Sequence, residues 1–119
     1  MGDLLVRQEG ERAVRLRMLN TERRHGNLHE NVHGGVILAL ADIAMFAAIA
    51  QETGNDLANS VTLDLNCQFI GSARIGEPID AVAEILRETR RLVFARGLVQ
   101  QGDALVASFS GTLRKPAIQ

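Results

Sequence analysis

Residues 33–50 read HGGVILALADIAMFAAIA, a stretch that is apolar except for its first three residues and one aspartate. From Val36 to Ala50 its alanine and leucine content favours a helix. Because this helix is apolar around its whole circumference, we expect the protein to cover it on all sides. It is shorter than the roughly 20 apolar residues that cross a bilayer, and Asp42 lies in its middle. The stretch therefore predicts a buried central helix and no membrane partner.

Segments on both sides of this helix show the alternation of apolar and polar residues that is typical of half-buried strands. They lie at residues 12–19, 61–69, 79–88, 92–100 and 104–113. Turn-forming residues separate them, and Gln101-Gly102-Asp103 is a hairpin candidate. The pattern predicts a single α+β domain over residues 1–119, in which one sheet of about five strands curls round the helix.

The composition excludes several classes of protein. The 13 basic and 14 acidic side chains give a net charge of -1, so no broad positive field is present to bind nucleic acid. The single cysteine, Cys67, cannot form an internal disulfide, and it falls on the apolar face of its strand as a core residue would. The N-terminus lacks the apolar run of a signal peptide. We therefore expect a cytoplasmic protein.

The glycine pair at the helix start is one candidate site. Gly34 and Gly35 let another molecule approach the backbone closely, and the first N–H groups of a helix are unpaired donors at the positive end of its dipole. Such a position suits an anion or a developing oxyanion. The alternative is that the glycines only allow close helix packing and that His33 only shapes the turn.

Asp42 is the one charged residue of the apolar helix. Burying a carboxylate requires a raised pKa or a dedicated polar partner, and either outcome favours a functional role. The alternative is a carboxylate hydrogen-bonded at a subunit interface for specificity only. Gly34 and Asp42 are eight residues apart, which is about 12 Å along a helix. If both act on one carbonyl, they must come from different subunits of a two-fold dimer.

Several of these features together resemble a known family. They are Asn27, the His33-Gly34-Gly35 motif, Asp42 nine residues after the histidine, and the strand sequence TLDLN at residues 62–66. The chain resembles the hotdog-fold acyl-CoA thioesterases of the phenylacetate-pathway (PaaI-like) type. This resemblance implies an antiparallel sheet wrapped round one helix and hydrolysis of acyl-CoA without a cofactor. It also implies homodimers that pair their sheets edge to edge, and often homotetramers.

The resemblance also implies roles for individual residues. The backbone N–H of Gly34 polarises the thioester carbonyl, while Asn27 and His33 lie beside the leaving group. Asp42 comes from the partner subunit and acts as general base or nucleophile. Thr62 helps to place the attacking water. The sequence does not choose between the two roles of Asp42.

The CoA-binding surface is less well defined by the sequence. Gly35 is expected to help bind substrate, and Arg90 and Arg91 cluster near a turn where they could clamp the CoA phosphates. Solvated surface charge is the alternative for these arginines. Relatives commonly carry Arg-Pro where this chain has Gly71-Ser72, so part of this surface differs.

Two further alternatives complete the sequence-based picture. His25, His29 and His33 recur every four residues, but the neighbouring glycines argue against the continuous helix that this spacing would need to form a metal site. We therefore expect no metal. The rival to an enzyme is a non-catalytic acyl-CoA-binding or structural hotdog subunit.

Overall fold

The computed structural model describes residues 4–19, 31–53 and 60–115. Within these ranges one helix packs against a single sheet of six strands. In chain order the elements are β1 (Leu4–Gly10), β2 (Ala13–Met18), α1 (Gly34–Thr53), β3 (Val61–Phe69), β4 (Ile79–Glu88), β5 (Leu92–Gln101) and β6 (Ala104–Arg114). The strands lie in the order β1-β2-β4-β5-β6-β3, and every neighbouring pair is antiparallel. β1 and β3 are therefore the two edges of the sheet.

The sheet has one strand more than the sequence predicted. The additional strand, β1, pairs with β2 but buries neither of its faces, and Leu5 and Val6 are both about half exposed. Without a buried face there is no alternation of apolar and polar residues to reveal a strand. The other five strands lie within one residue of the segments predicted for them.

The helix α1 is longer than predicted, with 20 residues where the apolar stretch has 15. Gln51 and Glu52 are good helix formers and extend it beyond its apolar part. By length and composition alone α1 could cross a membrane, so the prediction that it is too short is wrong. In this structure one side of α1 packs along the sheet, chiefly against β4 and β2.

The sheet covers only one side of α1. The side chains buried completely against it are Leu40, Ala41, Ala44, Met45 and Ala48. On the other side Leu38 is 38% exposed, and Asp42, Ile43 and Phe46 are only partly buried. The expectation of a helix covered on all sides is therefore wrong for the described part of one chain, because the single sheet supplies only one layer.

A close approach between α1 and β6 sets the height of the helix above the sheet. A Cβ atom on Gly111 would lie 2.8 Å from Met45 Cε and 2.7 Å from the carbonyl oxygen of Asp64. Only glycine leaves room for Met45 there. Met45, in the middle of α1, therefore packs over β6, next to the edge strand β3.

Candidate active site

His33 satisfies most of the N–H groups at the start of α1. Its carbonyl oxygen accepts hydrogen bonds from Val36 N–H at 3.0 Å and from Ile37 N–H at 3.3 Å. Its ring atom Nδ1 accepts Gly35 N–H at 2.9 Å. Among the described residues no acceptor lies within hydrogen-bond reach of Gly34 N–H. The helix start therefore presents one available donor at the positive end of its dipole.

The bond to Gly35 also fixes the proton on the His33 ring. Because Nδ1 accepts a hydrogen bond, the neutral ring carries its proton on Nε2 and offers that N–H as a donor. The His33 side chain is exposed, so this donor is accessible. A Cβ atom on Gly35 would lie 3.2 Å from Nδ1, which leaves little room for the ring. Gly35 N–H is already engaged, so this glycine contributes open space and no available donor.

Phe69 is a residue of this site that the sequence did not single out. Two carbons of its ring, Cε1 and Cζ, lie 3.4 Å from the position that a Cβ atom on Gly34 would occupy. The residue is 52% exposed. The sequence predicted Phe69 only as the last residue of the strand at residues 61–69, and that end position is the one signal that could have suggested another role. Its ring forms an apolar wall beside the Gly34 N–H.

Asp42 has the dedicated polar partner that a carboxylate in an apolar helix requires. The hydroxyl of Thr62 donates a hydrogen bond to Asp42 Oδ1 at 2.7 Å. No hydrogen-bond partner of Oδ2 lies among the described residues. Thr62 belongs to β3, the edge strand, and Asp42 lies on the side of α1 that the sheet leaves uncovered. The second carboxylate oxygen is therefore available for chemistry.

A single chain does not bring the two groups together. Gly34 and Asp42 are separated by about 12 Å along α1. Two surface cavities formed by described residues, of about 660 and 720 Å³, are not lined by Gly34, Asp42 or Thr62. Both lie among residues of the strands and their connections.

Arg90 and Arg91 lie at the opposite end of the sheet from the start of α1. They are exposed residues of the turn between β4 and β5. The last turn of α1 lies at this same end. The guanidinium of Arg12 joins the two, at 3.0 Å from Glu52 Oε1 at the end of α1 and 3.5 Å from Glu88 Oε1 at the end of β4. One chain alone therefore does not place these arginines beside the helix start.

The structure says less about the remaining candidates, which are Asn27, the histidines proposed as metal ligands, and Cys67. Asn27, His25 and His29 lie outside the described residues, so the predictions that concern them stay predictions. Where the structure describes the chain, no group of three or more His, Cys, Asp or Glu side chains is arranged to hold a metal ion. Burial raises the pKa of the Cys67 thiol, which disfavours the nucleophilic thiolate.

Comparison with known proteins identifies the family. The family model named Thioesterase superfamily matches residues 29–108, which is more than half of the chain. The chain belongs to the thioesterase superfamily. The matched range includes all of α1 and the strands β3, β4 and β5. The superfamily assignment therefore rests on the part of the chain that carries Gly34, Asp42 and Thr62.

Individual members of the superfamily are similar over different lengths. A Pseudomonas aeruginosa protein provisionally named an esterase is 30% identical over 118 residues, which cover 98% of this chain and 85% of that protein. Mouse acyl-coenzyme A thioesterase 13 is 35% identical over 78 residues, which cover 65% of this chain and 54% of the mouse protein. The matched part of our chain thus spans about half the length of the mouse protein.

The solved structures agree. A mutant of the phenylacetic acid degradation protein PaaI from Thermus thermophilus superposes with a TM-score of 0.79 at 26% identity, over 94% of this chain and 92% of that one. The hotdog fold and the resemblance to the PaaI-like acyl-CoA thioesterases are therefore confirmed, with six strands in place of about five.

Proposed function

We propose that the protein hydrolyses acyl-CoA thioesters to free acid and CoA at a site shared between two chains. The observation that carries this proposal is the Asp42–Thr62 pair on the uncovered side of a helix that begins with an available N–H donor, Gly34. The superfamily supports thioester hydrolysis in general. The residue roles and the shared site are the parts proposed here.

The donor acts on the carbonyl of the thioester. Gly34 N–H binds the carbonyl oxygen and stabilises the negative charge that develops on it, helped by the positive end of the α1 dipole. The Nε2–H of His33 and the side chain of Asn27 act at the leaving thiolate. Phe69 lies against Gly34 and provides an apolar surface for the substrate.

Asp42 either activates the nucleophile or is itself the nucleophile. Thr62 holds Oδ1 at 2.7 Å, so Oδ2 either removes a proton from the attacking water or attacks the carbonyl itself. In the second route the thiolate leaves, and water then hydrolyses the anhydride between the acyl group and Asp42 to release the free acid. Because a hydroxyl that donates to Oδ1 keeps its own lone pairs, Thr62 can also accept a hydrogen bond from that water. Both routes use the same two side chains.

The open edge of β3 supports the sharing of the site. Among the described residues β3 pairs only with β6, and on this edge strand Val61, Leu63 and Phe69 are about half exposed. An exposed apolar edge of this kind is a template for pairing with another chain. Antiparallel pairing of two β3 strands about a two-fold axis would set the two α1 helices side by side, with Gly34 of one chain near Asp42 of the other. Homotetramers of such dimers are a further proposal.

The same arrangement gives Arg90 and Arg91 a role. α1 continues from Asp42 for eleven residues, about 16 Å, towards the end of the sheet that carries these arginines. In an antiparallel dimer that end of one chain would lie beyond Gly34 of the other chain. Both side chains are exposed, so they could bind the phosphates of a CoA that extends in this direction.

Release of free CoA tests the proposal directly. The purified protein is assayed for thiol release with phenylacetyl-CoA, hydroxylated aromatic acyl-CoAs and medium-chain acyl-CoAs, and Asp42→Asn is the control. We expect turnover of at least one of them, and a loss of at least about a hundredfold in Asp42→Asn with the fold retained. If acyl-CoA binds but no thiol appears, the protein is a non-catalytic binding subunit. Unchanged turnover in Asp42→Asn would remove Asp42 from the mechanism.

A further inference from the structure

The residues that lead into α1 are held by a distant part of the chain. Val32 N–H donates a hydrogen bond to the carbonyl oxygen of Ala73 at 2.8 Å, and Asn31 pairs with Arg74 in an antiparallel bridge. Val32 and Ala73 are both buried. The position of Gly34, two residues after Val32, therefore depends on where residues 73 and 74 lie.

Arg74, next to Ala73, is in turn bound by the side chain of Gln101. Its Oε1 accepts Arg74 N–H at 2.8 Å, and its Nε2 donates to the carbonyl oxygens of Arg74 at 2.9 Å and Glu77 at 3.3 Å. The amide of Gln101 thus pairs with both backbone groups of Arg74, as a neighbouring strand would do. Gln101 is the last residue of β5, so it transmits the position of the β5–β6 hairpin.

The segment between β3 and β4 is also held near its first residues. Ile70 N–H and Gly71 N–H both donate to the carbonyl oxygen of Val106 at 2.9 Å. A Cβ atom on Gly71 would lie 2.6 Å from the carbonyl oxygen of Leu105, so the backbones approach too closely for any other residue. The connecting segment, residues 70–77, is therefore tied to the β5–β6 hairpin near both of its ends.

We propose that Gln101 is a positioning residue for the oxyanion donor, acting through Arg74 and Ala73 on residues 31–34. This inference rests on the proposed function of Gly34. An N–H donor stabilises an oxyanion only if it points to where the charge develops, and a displacement of about 1 Å can cost about a hundredfold in rate. The backbone of residues 31 and 32 takes its position from the pairing that Gln101 stabilises.

The kinetic test uses substitutions that keep the size of the side chain. Gln101→Met removes all three hydrogen bonds, and we expect kcat to fall about tenfold with little change in KM. Gln101→Glu keeps only the acceptor for Arg74 N–H and should lie between Gln101→Met and the unaltered protein. The matched control is Gln100→Met, because the Gln100 amide faces Arg15 and makes no hydrogen bond to the described residues of the connecting segment. Its kcat should be unchanged.

A second measurement does not depend on activity. In Gln101→Met we expect amide hydrogen exchange of Val32 to accelerate at least about tenfold and the ¹H–¹⁵N resonance of Gly34 to move, while both stay unchanged in Gln100→Met. If the unaltered protein releases no CoA, the proposed function fails, and these amide signals still decide whether Gln101 orders the helix start. Unchanged amide signals in Gln101→Met would overturn the inference. Altered signals with an unchanged kcat in an active enzyme would overturn it as well.

Discussion

Thr62 Oγ1 lies 2.7 Å from Asp42 Oδ1 and donates a hydrogen bond to it. This bond joins the uncovered side of the helix to the edge strand of the sheet. A chain that pairs with β3 would therefore meet the carboxylate at the same edge. Because Thr62 contacts Asp42 within one chain, the pair would enter a shared site as a preassembled unit.

Replacing Thr62 tests this unit. Thr62→Val keeps the shape of the side chain but removes the hydroxyl, so it should lower kcat per folded molecule at least about tenfold. Thr62→Ser retains a hydroxyl and is the matched control, with kcat within about threefold of the unaltered enzyme. Steady-state kinetics on both variants check this. Equal activity of the valine and serine variants would show that the hydrogen bond is not used.

The two glycines at the start of α1 should respond differently to alanine. In Gly35→Ala the new Cβ would lie 3.2 Å from His33 Nδ1, which should displace the ring and break its bond to residue 35. In Gly34→Ala the nearest atoms are Phe69 carbons at 3.4 Å, an ordinary contact. We expect Gly35→Ala to be less stable than Gly34→Ala by about 1 kcal/mol, the usual value of a helix cap, or about 4 °C in Tm.

Thermal unfolding of the two alanine variants, side by side, measures this difference. Helix propensity favours alanine over glycine equally in both, so it cancels in the comparison. Gly34→Ala should still lose activity, because its methyl group stands where the thioester must approach. If Gly34→Ala were the less stable variant, the His33 cap would not hold the helix start.

Asp80 should make stability depend on acid pH. Burial opposes its ionisation, but hydrogen bonds from Arg17 at 2.7 and 2.9 Å and from Arg15 at 2.6 Å outweigh this and hold the pKa of Asp80 below its ordinary value of 3.8. A depressed pKa in the folded state stabilises the protein above the unfolded value, and this stabilisation is lost as the pH falls through the folded value. Asp80→Asn should therefore lower the unfolding free energy by about 2 kcal/mol at pH 7.

Urea unfolding between pH 7 and pH 2.5 measures this effect. The difference between Asp80→Asn and the unaltered protein should shrink below about pH 4, because the unfolded carboxylate takes up its proton there while the native one is still ionised. A difference that stays constant down to pH 2.5 would show that the Asp80 carboxylate does not carry this stabilisation.

How much of the fold could be predicted depended on burial. β4 and β5 each bury one face, and alternation placed β4 at its observed bounds and β5 within one residue. β1 buries no face, so pairing with β2 alone makes it a strand, and pairing leaves no signal in sequence. The sequence also did not predict that one side of α1 is uncovered in the described part of one chain. An apolar residue gives the same sequence signal whether residues of its own chain or of another chain cover it.

Some residues of the candidate site could be predicted from the sequence, and others could not. Asp42 stood out because a charge in an apolar helix needs an explanation, and Gly34 because glycine at a helix start leaves its N–H accessible. Phe69 and Gln101 make contacts between segments that are distant in sequence, so the local sequence pattern could not point to them. The ring of His33 as acceptor for Gly35 N–H likewise required coordinates.

Restoration of activity by two inactive variants tests the shared site most directly. Gly34→Val blocks approach to the N–H donor, and Asp42→Asn removes the carboxylate, so each homodimer should be nearly inactive. In a mixed dimer one of the two sites keeps an intact Gly34 and an intact Asp42. Random pairing makes about half of the dimers mixed, so activity should recover to about a quarter of that of the unaltered enzyme. If mass spectrometry shows complete subunit exchange between folded, dimeric variants and no activity returns, the site is not shared between chains.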